Sequence, residues 1–269
     1  MSHPNLSVIS PKAKIGANVE VGPFTFIADD VEIGEGSWIG PNVTIFDGAR
    51  IGKNVKIFPG AVVSGIPQDL KFRGEHTLAY IGDNTTVREY VTINRGTAAA
   101  NVTRVGKNCL LMAYVHVAHD CILGDNVVLA NNVNIAGHVI IEDWVIIEGQ
   151  VGVQQFTRIG QHAFIAGGSL VRKSVPPFIR AAREPLSYIG LNRVGLERRG
   201  FDVERINRLH DIYRILFVKG LNLRNAVEDI EANVSECADR NEILDFIADT
   251  EKTGILRSFQ QVNGNKVNH

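Results

Sequence analysis

The chain is poor in the residues that staple, steer or anchor a protein from outside its core. It holds three cysteines in 269 residues, too few and odd in number for a disulfide framework. Net charge is −1, from 28 basic and 29 acidic residues, which excludes the global basic field of a nucleic-acid binder and any general pull toward an anionic membrane. Aromatic residues make up only 7%, so a large core has to be aliphatic. No uninterrupted apolar run approaches the roughly 18 residues that span a bilayer. The first residues, Met1-Ser2-His3-Pro4-Asn5, lack the basic start and apolar run of a signal peptide. Together with the cysteine usage, these absences point to a reducing cytoplasm.

What is present is a six-residue rhythm that keeps its phase from Ile9 to Val171. Of its 28 sixfold positions, 25 are Ile, Val or Leu, and only Asp69, Glu75 and Ala99 depart. Four residues after each aliphatic position stands a small one, such as Ala13, Thr25, Ser37, Ala49, Cys109 and Cys121, followed by a polar spacer, such as Lys14, Glu32 or Arg50. Small residue, spacer and next aliphatic residue alternate in, out, in, which is strand periodicity. At the two small inward positions cysteine serves as a small hydrophobe. Between strands lie turn formers, as in Lys53-Asn54, Asp83-Asn84 and Asp125-Asn126. A short strand and a corner every six residues makes a flat-sided coil. Three sides close a triangle, and 25 hexads stack about eight coils roughly 4.8 Å apart, with the aliphatic ladder filling the prism. A helical bundle is excluded because the period is not 3.6.

Two segments, 69–80 and 99–104, interrupt the rhythm by multiples of six without shifting it. Loops of this kind on a solenoid mark its binding face. The repeat ends at Val175-Pro176-Pro177-Phe178, where two prolines should stop the strand ladder. A linker follows. From Asp202 apolar residues recur at helical spacing to a stop at Gly220; further helices are expected over Asn222–Val234 and Asn241–Thr250, with a frayed end over 260–269. The chain therefore divides into a β-prism over 1–190 and a small α-helical domain over 191–269.

Three of eight histidines cluster: His116, His119 and His138. By hexad count His116 points outward from a strand, and His119 and His138 lie at corners. One coil of 18 residues beyond His119 is Gly137, so His119, Gly137 and His138 should meet on one edge. An imidazole there can act as a general base near neutral pH, and a glycine above it leaves a backbone N–H free to approach an oxyanion. Asp120 could raise the basicity of its neighbour. Three histidines can equally hold Zn²⁺, and three solvated surface histidines remain the simplest alternative. A basic segment, with Arg172, Lys173, Arg180, Arg183, Arg193, Arg198 and Arg199, could receive phosphates or an acidic protein.

Several motifs resemble one family over nearly the whole chain. They are Gln68-Asp69-Leu70-Lys71, Asn94-Arg95-Gly96-Thr97, His116-Val117-Ala118-His119-Asp120, Leu129-Ala130-Asn131-Asn132, Ala136-Gly137-His138, Val175-Pro176-Pro177 and Arg198-Arg199-Gly200-Phe201. The family is UDP-N-acetylglucosamine O-acyltransferase, the first enzyme of lipid A biosynthesis. The resemblance implies a left-handed parallel β-helix of hexapeptide repeats with a helical C-terminal domain, an exception to the right-handed crossover rule. It also implies a homotrimer with sites between neighbouring prisms, and transfer of a 3-hydroxyacyl chain from acyl carrier protein to the 3-position of a UDP-sugar. No metal or other cofactor is implied. By motif, His119 matches the base, Asp120 its partner and Gly137 the oxyanion N–H. Asp69 and Lys71 match residues that hold substrate from the adjacent subunit. Gln68, His116, His138, Asn192 and Arg198 match other binding positions, and Gly167 the position that limits the acyl groove.

Two residues depart from the family pattern. Gln154 stands where a His is common, and Val194 where a Glu is. Glutamine cannot be protonated and valine cannot accept a hydrogen bond, so altered acceptor recognition is expected, such as a UDP-sugar with a 3-amine. Two other readings compete: a zinc enzyme of the γ-carbonic anhydrase type, which metal content would reveal, and a rigid non-catalytic scaffold, in which His119 would be replaceable.

Overall fold

The computed structural model describes residues 6–250 and 253–258; the end expected to fray, 260–269, lies outside them. Residues 6–175 wind into a left-handed parallel β-helix with three flat faces. The first face carries nine strands, from Val8–Ile9 to Leu170–Val171. The second carries eight, from Lys14–Ile15 to Arg158–Ile159, and the third begins with Glu20–Val21 and reaches Phe164–Ile165. Each strand pairs in parallel with the one a coil away, as in the column Thr92, His116, Asn134, Gly152 and Leu170.

The rhythm sets this geometry because each sixfold aliphatic residue turns inward. From Ile27 to Val171 these positions are at most 4% exposed. Ile9 and Ile15, at the first coil, are 36% and 38% exposed, because no coil covers them on one side. The small positions do more than leave room. Thr25, Ser37 and Thr85 donate their hydroxyls to the carbonyls of Gly40, Gly52 and Gly106, and the Cys109 and Cys121 thiols reach the Gly124 and Ala136 carbonyls in the same way. Corners place one residue in the left-handed region. Asn fills it often, as Asn54, Asn108 and Asn126 show, but so do Tyr90, Tyr114, Trp144 and Phe156. A bulky residue there costs on the order of 1 kcal/mol, and ring stacking such as that of Tyr90 on Tyr114 offsets it.

The two insertions sit about three residues earlier than expected. The chain leaves the first face after Val62–Gly65 and rejoins the second at Leu78–Ile81; it leaves again after Thr92–Asn94 and rejoins at Val102–Val105. An insertion that is a multiple of six preserves phase wherever it starts within the hexad, so phase alone could not place its ends. Both loops, 66–77 and 95–101, emerge at the edge joining the first and second faces.

The prolines at 176–177 do not end the ladder. Ile179–Ala182 resumes pairing with Phe164–Ile165 and then turns into an antiparallel hairpin with Ser187–Leu191. The segment expected as linker therefore extends the third sheet, which Arg257–Ser258 lengthens further. Four helices follow: α1 (Arg193–Arg198), α2 (Val203–Phe217), α3 (Leu223–Asn233) and α4 (Ala238–Asp249). Asp202 and Asn222 cap α2 and α3 by accepting from the Arg205 and Asn225 amides. Helix α4 begins three residues before the expected Asn241, and α1 was not expected at all. Tyr213 of α2, fully buried, donates to the Pro177 carbonyl and fixes the helices to the last coil. No helix among the described residues is long and apolar enough to cross a membrane.

Candidate active site

His119 and Asp120 form the corner between His116–Val117 on the first face and Ile122–Leu123 on the second, the edge from which both insertions emerge. Asp120 takes the left-handed position with φ 60°, which a short polar side chain tolerates, and His138 takes the same position one coil on. His119 is not the outward, solvated residue that hexad counting suggests. It is 8% exposed, and Asp120 is 4% exposed.

The burial is partnered. His119 Nδ1 lies 2.9 Å from Asp120 Oδ2. The same carboxylate accepts from Thr97, through its amide to Oδ1 at 2.8 Å and its hydroxyl to Oδ2 at 2.6 Å, while the Asp120 amide donates to Thr103 Oγ1 at 2.8 Å. Burial alone would push the Asp120 carboxyl up. The Thr97 hydroxyl and amide, His119 and His138 outweigh it and hold the group below its ordinary value, so it is ionised at neutral pH. An ionised acceptor at Nδ1 favours the tautomer that leaves Nε2 with a free lone pair. This is the arrangement of a general base with its orienting carboxylate.

Gly137 closes over the imidazole. A Cβ built there would stand 2.6 Å from His119 Cε1 and 2.8 Å from Nε2, closer than any side chain can approach. At comparable corners an Asp of the next coil caps the first corner amide: Asp83 for Lys53, Asp125 for Lys107, Asp143 for Asp125. One coil above Gly137 stands Gln155, and the Gly137 N–H donates to no acceptor among the described residues. A free amide beside a free Nε2 can receive a developing oxyanion. His138 packs edge-on to His119 with ring centres 5.2 Å apart and stacks on Phe156 at 4.8 Å. Its Nε2 is 3.6 Å from Asp120 Oδ2, so His119, Asp120 and His138 could converge on a metal ion. The expected three-histidine set does not form, because His116 directs Nδ1 to the Thr92 hydroxyl at 2.7 Å. Burial and the nearby His119 push the His116 imidazole down, keeping it neutral.

His116 lines one end of a shallow groove of about 470 Å³ on the first face, floored by Asn134, Gly152, Leu170 and Val171 and flanked by Gln154 and Arg172. Gln154 thus shares the groove with His116. The loop with Gln68, Asp69 and Lys71 projects from the His119 edge two coils nearer the N-terminus; Gln68 and Lys71 are exposed, and Asp69 accepts from the Lys71 amide.

The remaining residues lie on other edges. Gly167 is exposed at the edge between third and first faces, where its amide donates to Glu148. Asn192, α1 and Arg198 lie at the edge between second and third faces. There Asn192 is 5% exposed, and its amide donates to the His162 carbonyl at 2.9 Å. Within one chain Asn192 is a joint between prism and helices, away from the His119 corner. Val194 is 59% exposed on α1, on that same edge, and does not meet Gln154. Much of the basic segment is already engaged: Arg172 pairs with Glu184, Arg193 with Glu197, and Lys173 donates to the Thr253 carbonyl.

Thr97 and Thr103 escaped sequence reasoning as partners of Asp120. Thr97 stands within a quoted motif, but only the path of the second insertion brings it over Asp120. His162 was also missed. It is 7% exposed, stacked between Trp144 and Phe178, with no partner for Nδ1, and burial with the Arg199 and Arg205 charges pushes its pKa down to about 4.

Residues 175–256 match the family described as UDP N-acetylglucosamine O-acyltransferase, domain 2, and residues 30–65 and 103–137 match the bacterial transferase hexapeptide repeat. The acyl-[acyl-carrier-protein]–UDP-N-acetylglucosamine O-acyltransferase of Xylella fastidiosa is 44% identical over 257 residues, covering 95% of this chain and 97% of the relative. The crystal structure of a UDP-N-acetylglucosamine acyltransferase from Bacteroides fragilis is 48% identical and superposes with a TM-score of 0.92 over 96% of this chain and all of the other. That of Francisella novicida is 41% identical with the same TM-score, over 96% of this chain and 94% of the other. The prism, the helical domain and the His119 corner thus belong to a member of the UDP-N-acetylglucosamine O-acyltransferase family of enzymes.

Proposed function

We propose that the chain transfers a 3-hydroxyacyl group from the thioester of acyl carrier protein to the 3-position of UDP-N-acetylglucosamine, or of a 3-amino analogue, in the first step of lipid A biosynthesis. The observation that carries the mechanism is the buried His119–Asp120 pair facing the uncapped Gly137 amide. His119 Nε2 takes the proton of the acceptor as its oxygen or nitrogen attacks the thioester carbonyl. The Gly137 N–H donates to the resulting oxyanion, and Asp120 stabilises the imidazolium. Collapse expels the carrier's thiolate, which takes the proton back from His119. Atoms and charge balance with no cofactor.

The placement of side chains supports an assembly of several copies. The residues matched to substrate binding fall on three different edges of one prism, and a single prism cannot turn them toward one ligand. Neighbouring prisms packed edge to face can, which supports a homotrimer with Asp69 and Lys71 reaching the His119 corner of an adjacent copy. The acidic carrier would dock where basic residues remain exposed, as Arg198 does. A donor of this kind places the reaction in the cytoplasm. Gly167, matched to the position that limits the acyl groove, offers no side-chain stop, so acyl chains of about fourteen carbons or longer are preferred to shorter ones.

The test is release of carrier thiol from 3-hydroxymyristoyl acyl carrier protein in the presence of UDP-N-acetylglucosamine, with wild type beside His119→Ala. Release that needs the sugar and collapses in the variant supports the reading. If the 3-amino sugar gives the higher kcat/KM, Gln154 and Val194 have changed the acceptor. Silence with both sugars refutes the assignment.

A further inference from the structure

We propose that His119, Asp120 and His138 form a binding site for one divalent transition-metal ion of the Zn²⁺ or Co²⁺ kind, and that the bound ion switches His119 off as a base. Two perpendicular imidazoles converge on one carboxylate oxygen. His119 Nδ1 and His138 Nε2 lie 2.9 and 3.6 Å from Asp120 Oδ2, and the three atoms are within 4.8 Å of one another. A tetrahedral ion with bonds of about 2.0–2.1 Å separates its ligand atoms by about 3.3 Å. Small rotations supply the difference. His138 can make them, since its side chain is the most exposed of the three, at 22%.

The surroundings favour the ion as well. Asp120 is held by two donors from Thr97, the kind of outer contact that orients a ligating carboxylate. Two imidazoles and one carboxylate suit Zn²⁺ or Co²⁺ rather than Mg²⁺ or Ca²⁺, which prefer oxygen alone. Three protein ligands leave a fourth position open.

The consequence for His119 is chemical. In the tautomer that the Asp120 carboxylate favours, the proton is on Nδ1, facing Asp120, and Nε2 holds the free lone pair. An ion bound at Nδ1 needs that nitrogen's lone pair, so the proton moves to Nε2 with no net loss or gain. Nε2 then cannot accept a proton from the acceptor. This step rests on the reaction proposed above; the binding does not.

The experiment titrates the metal-free full-length protein with Co²⁺ in the absence of substrates, following the visible band of tetrahedral Co²⁺, and with Zn²⁺ by calorimetry. The expected result is one ion per chain, Zn²⁺ displacing Co²⁺, and binding weakened at least about tenfold in both His138→Ala and Asp120→Asn. Circular dichroism checks that each variant is folded, and His116→Ala keeps the ion. Acyl transfer by the wild type falls in step with occupancy and returns on chelation with EDTA. Binding unchanged in both variants, or an octahedral Co²⁺ spectrum, overturns the site. Full occupancy without loss of activity overturns the switch. A chain that takes up the ion as described but transfers no acyl group upholds the site and refutes the assigned reaction instead.

Discussion

Thr97→Val removes one hydroxyl and almost no volume. In the native corner that hydroxyl donates to Asp120 Oδ2 at 2.6 Å, and the same oxygen faces His119 Nδ1. The Thr97 amide, which donates to Oδ1, is unaffected by the substitution. A hydrogen bond to a buried charge contributes about 1.5–3 kcal/mol. With the hydroxyl gone, Asp120 is held at one oxygen, its carboxylate can rotate, and the imidazole loses its fixed orientation. If the whole loss appears in the transition state, kcat falls about ten- to hundredfold, with KM changed little because Thr97 is not matched to substrate. The loss also carries a pH signature. Burial pushes the Asp120 carboxyl up and Thr97 is the largest opposing influence, so its removal moves the carboxyl upward. Asp120 stabilises the folded state above the unfolded carboxylate value, and that contribution disappears as pH falls through the lower folded value. The variant's stability deficit is therefore full at neutral pH and shrinks in acid. The assay is thiol release at saturating substrates across pH, with urea denaturation alongside. Thr97→Ser restores the hydroxyl and most of kcat. A folded Thr97→Val enzyme with kcat within about twofold of wild type would refute the positioning role, since every magnitude above predicts more.

Gly137→Ala puts a methyl group 2.6 Å from His119 Cε1, and thiol release should drop at least about a hundredfold in a protein whose circular dichroism is unchanged. His162 has a folded value of about 4 against 6.5 for the free imidazole, so the unfolded chain takes up the proton first as pH falls. Stability then declines between pH 6.5 and about 4, by about 2 kcal/mol at pH 5 from this residue alone, and urea unfolding of His162→Phe should show a flatter pH dependence. Burial pushes the Cys109 and Cys121 thiols up to about 11 and about 12, so a thiol reagent should label only Cys237 in the native protein and all three cysteines in denaturant.

How much of this was legible in the sequence depends on whether a feature is local or composed across coils. The repeat of the prism was legible, because an inward position every six residues is a property of the chain itself. The meeting of His119 with Gly137 was legible by the same arithmetic, since one coil is a fixed number of residues. The burial of His119 was not. Hexad counting marks a corner residue as outward, but the loop at 95–101, folded back so that Thr97 clamps Asp120, joins Gly137 and His138 of the next coil in covering that corner. The strand Ile179–Ala182 was missed because proline was read as ending the ladder. The coil uses Pro176 and Pro177 only as the corner, where no ladder amide is needed, and Gly160 packs against Pro177 with no room for a side chain.

The least legible feature is how the residues matched to substrate could come together. Motif matching gathers Asp69, His119, Gly167, Asn192 and Arg198 as if they shared a cleft, yet the fold distributes them over three edges of a rigid prism. A rigid solenoid cannot close around a ligand as a hinged enzyme does, because its parallel ladders and filled interior resist bending. What it can do is present each edge, unchanged, to a neighbour. In a composite site the buried polar joint of Asn192 with the His162 carbonyl would have a purpose beyond stability. It fixes α1, and with it Arg198 and Val194, at a constant position relative to the second and third faces. If the site is composite, truncating that joint should weaken substrate binding more than it weakens the fold. Asn192→Ala should raise KM for the UDP-sugar several-fold while the melting temperature moves by only a few degrees, since one buried hydrogen bond contributes about 1 kcal/mol. A variant that loses thermal stability but keeps its KM would confine Asn192 to holding the helices, and the composite site would then need other residues to carry it.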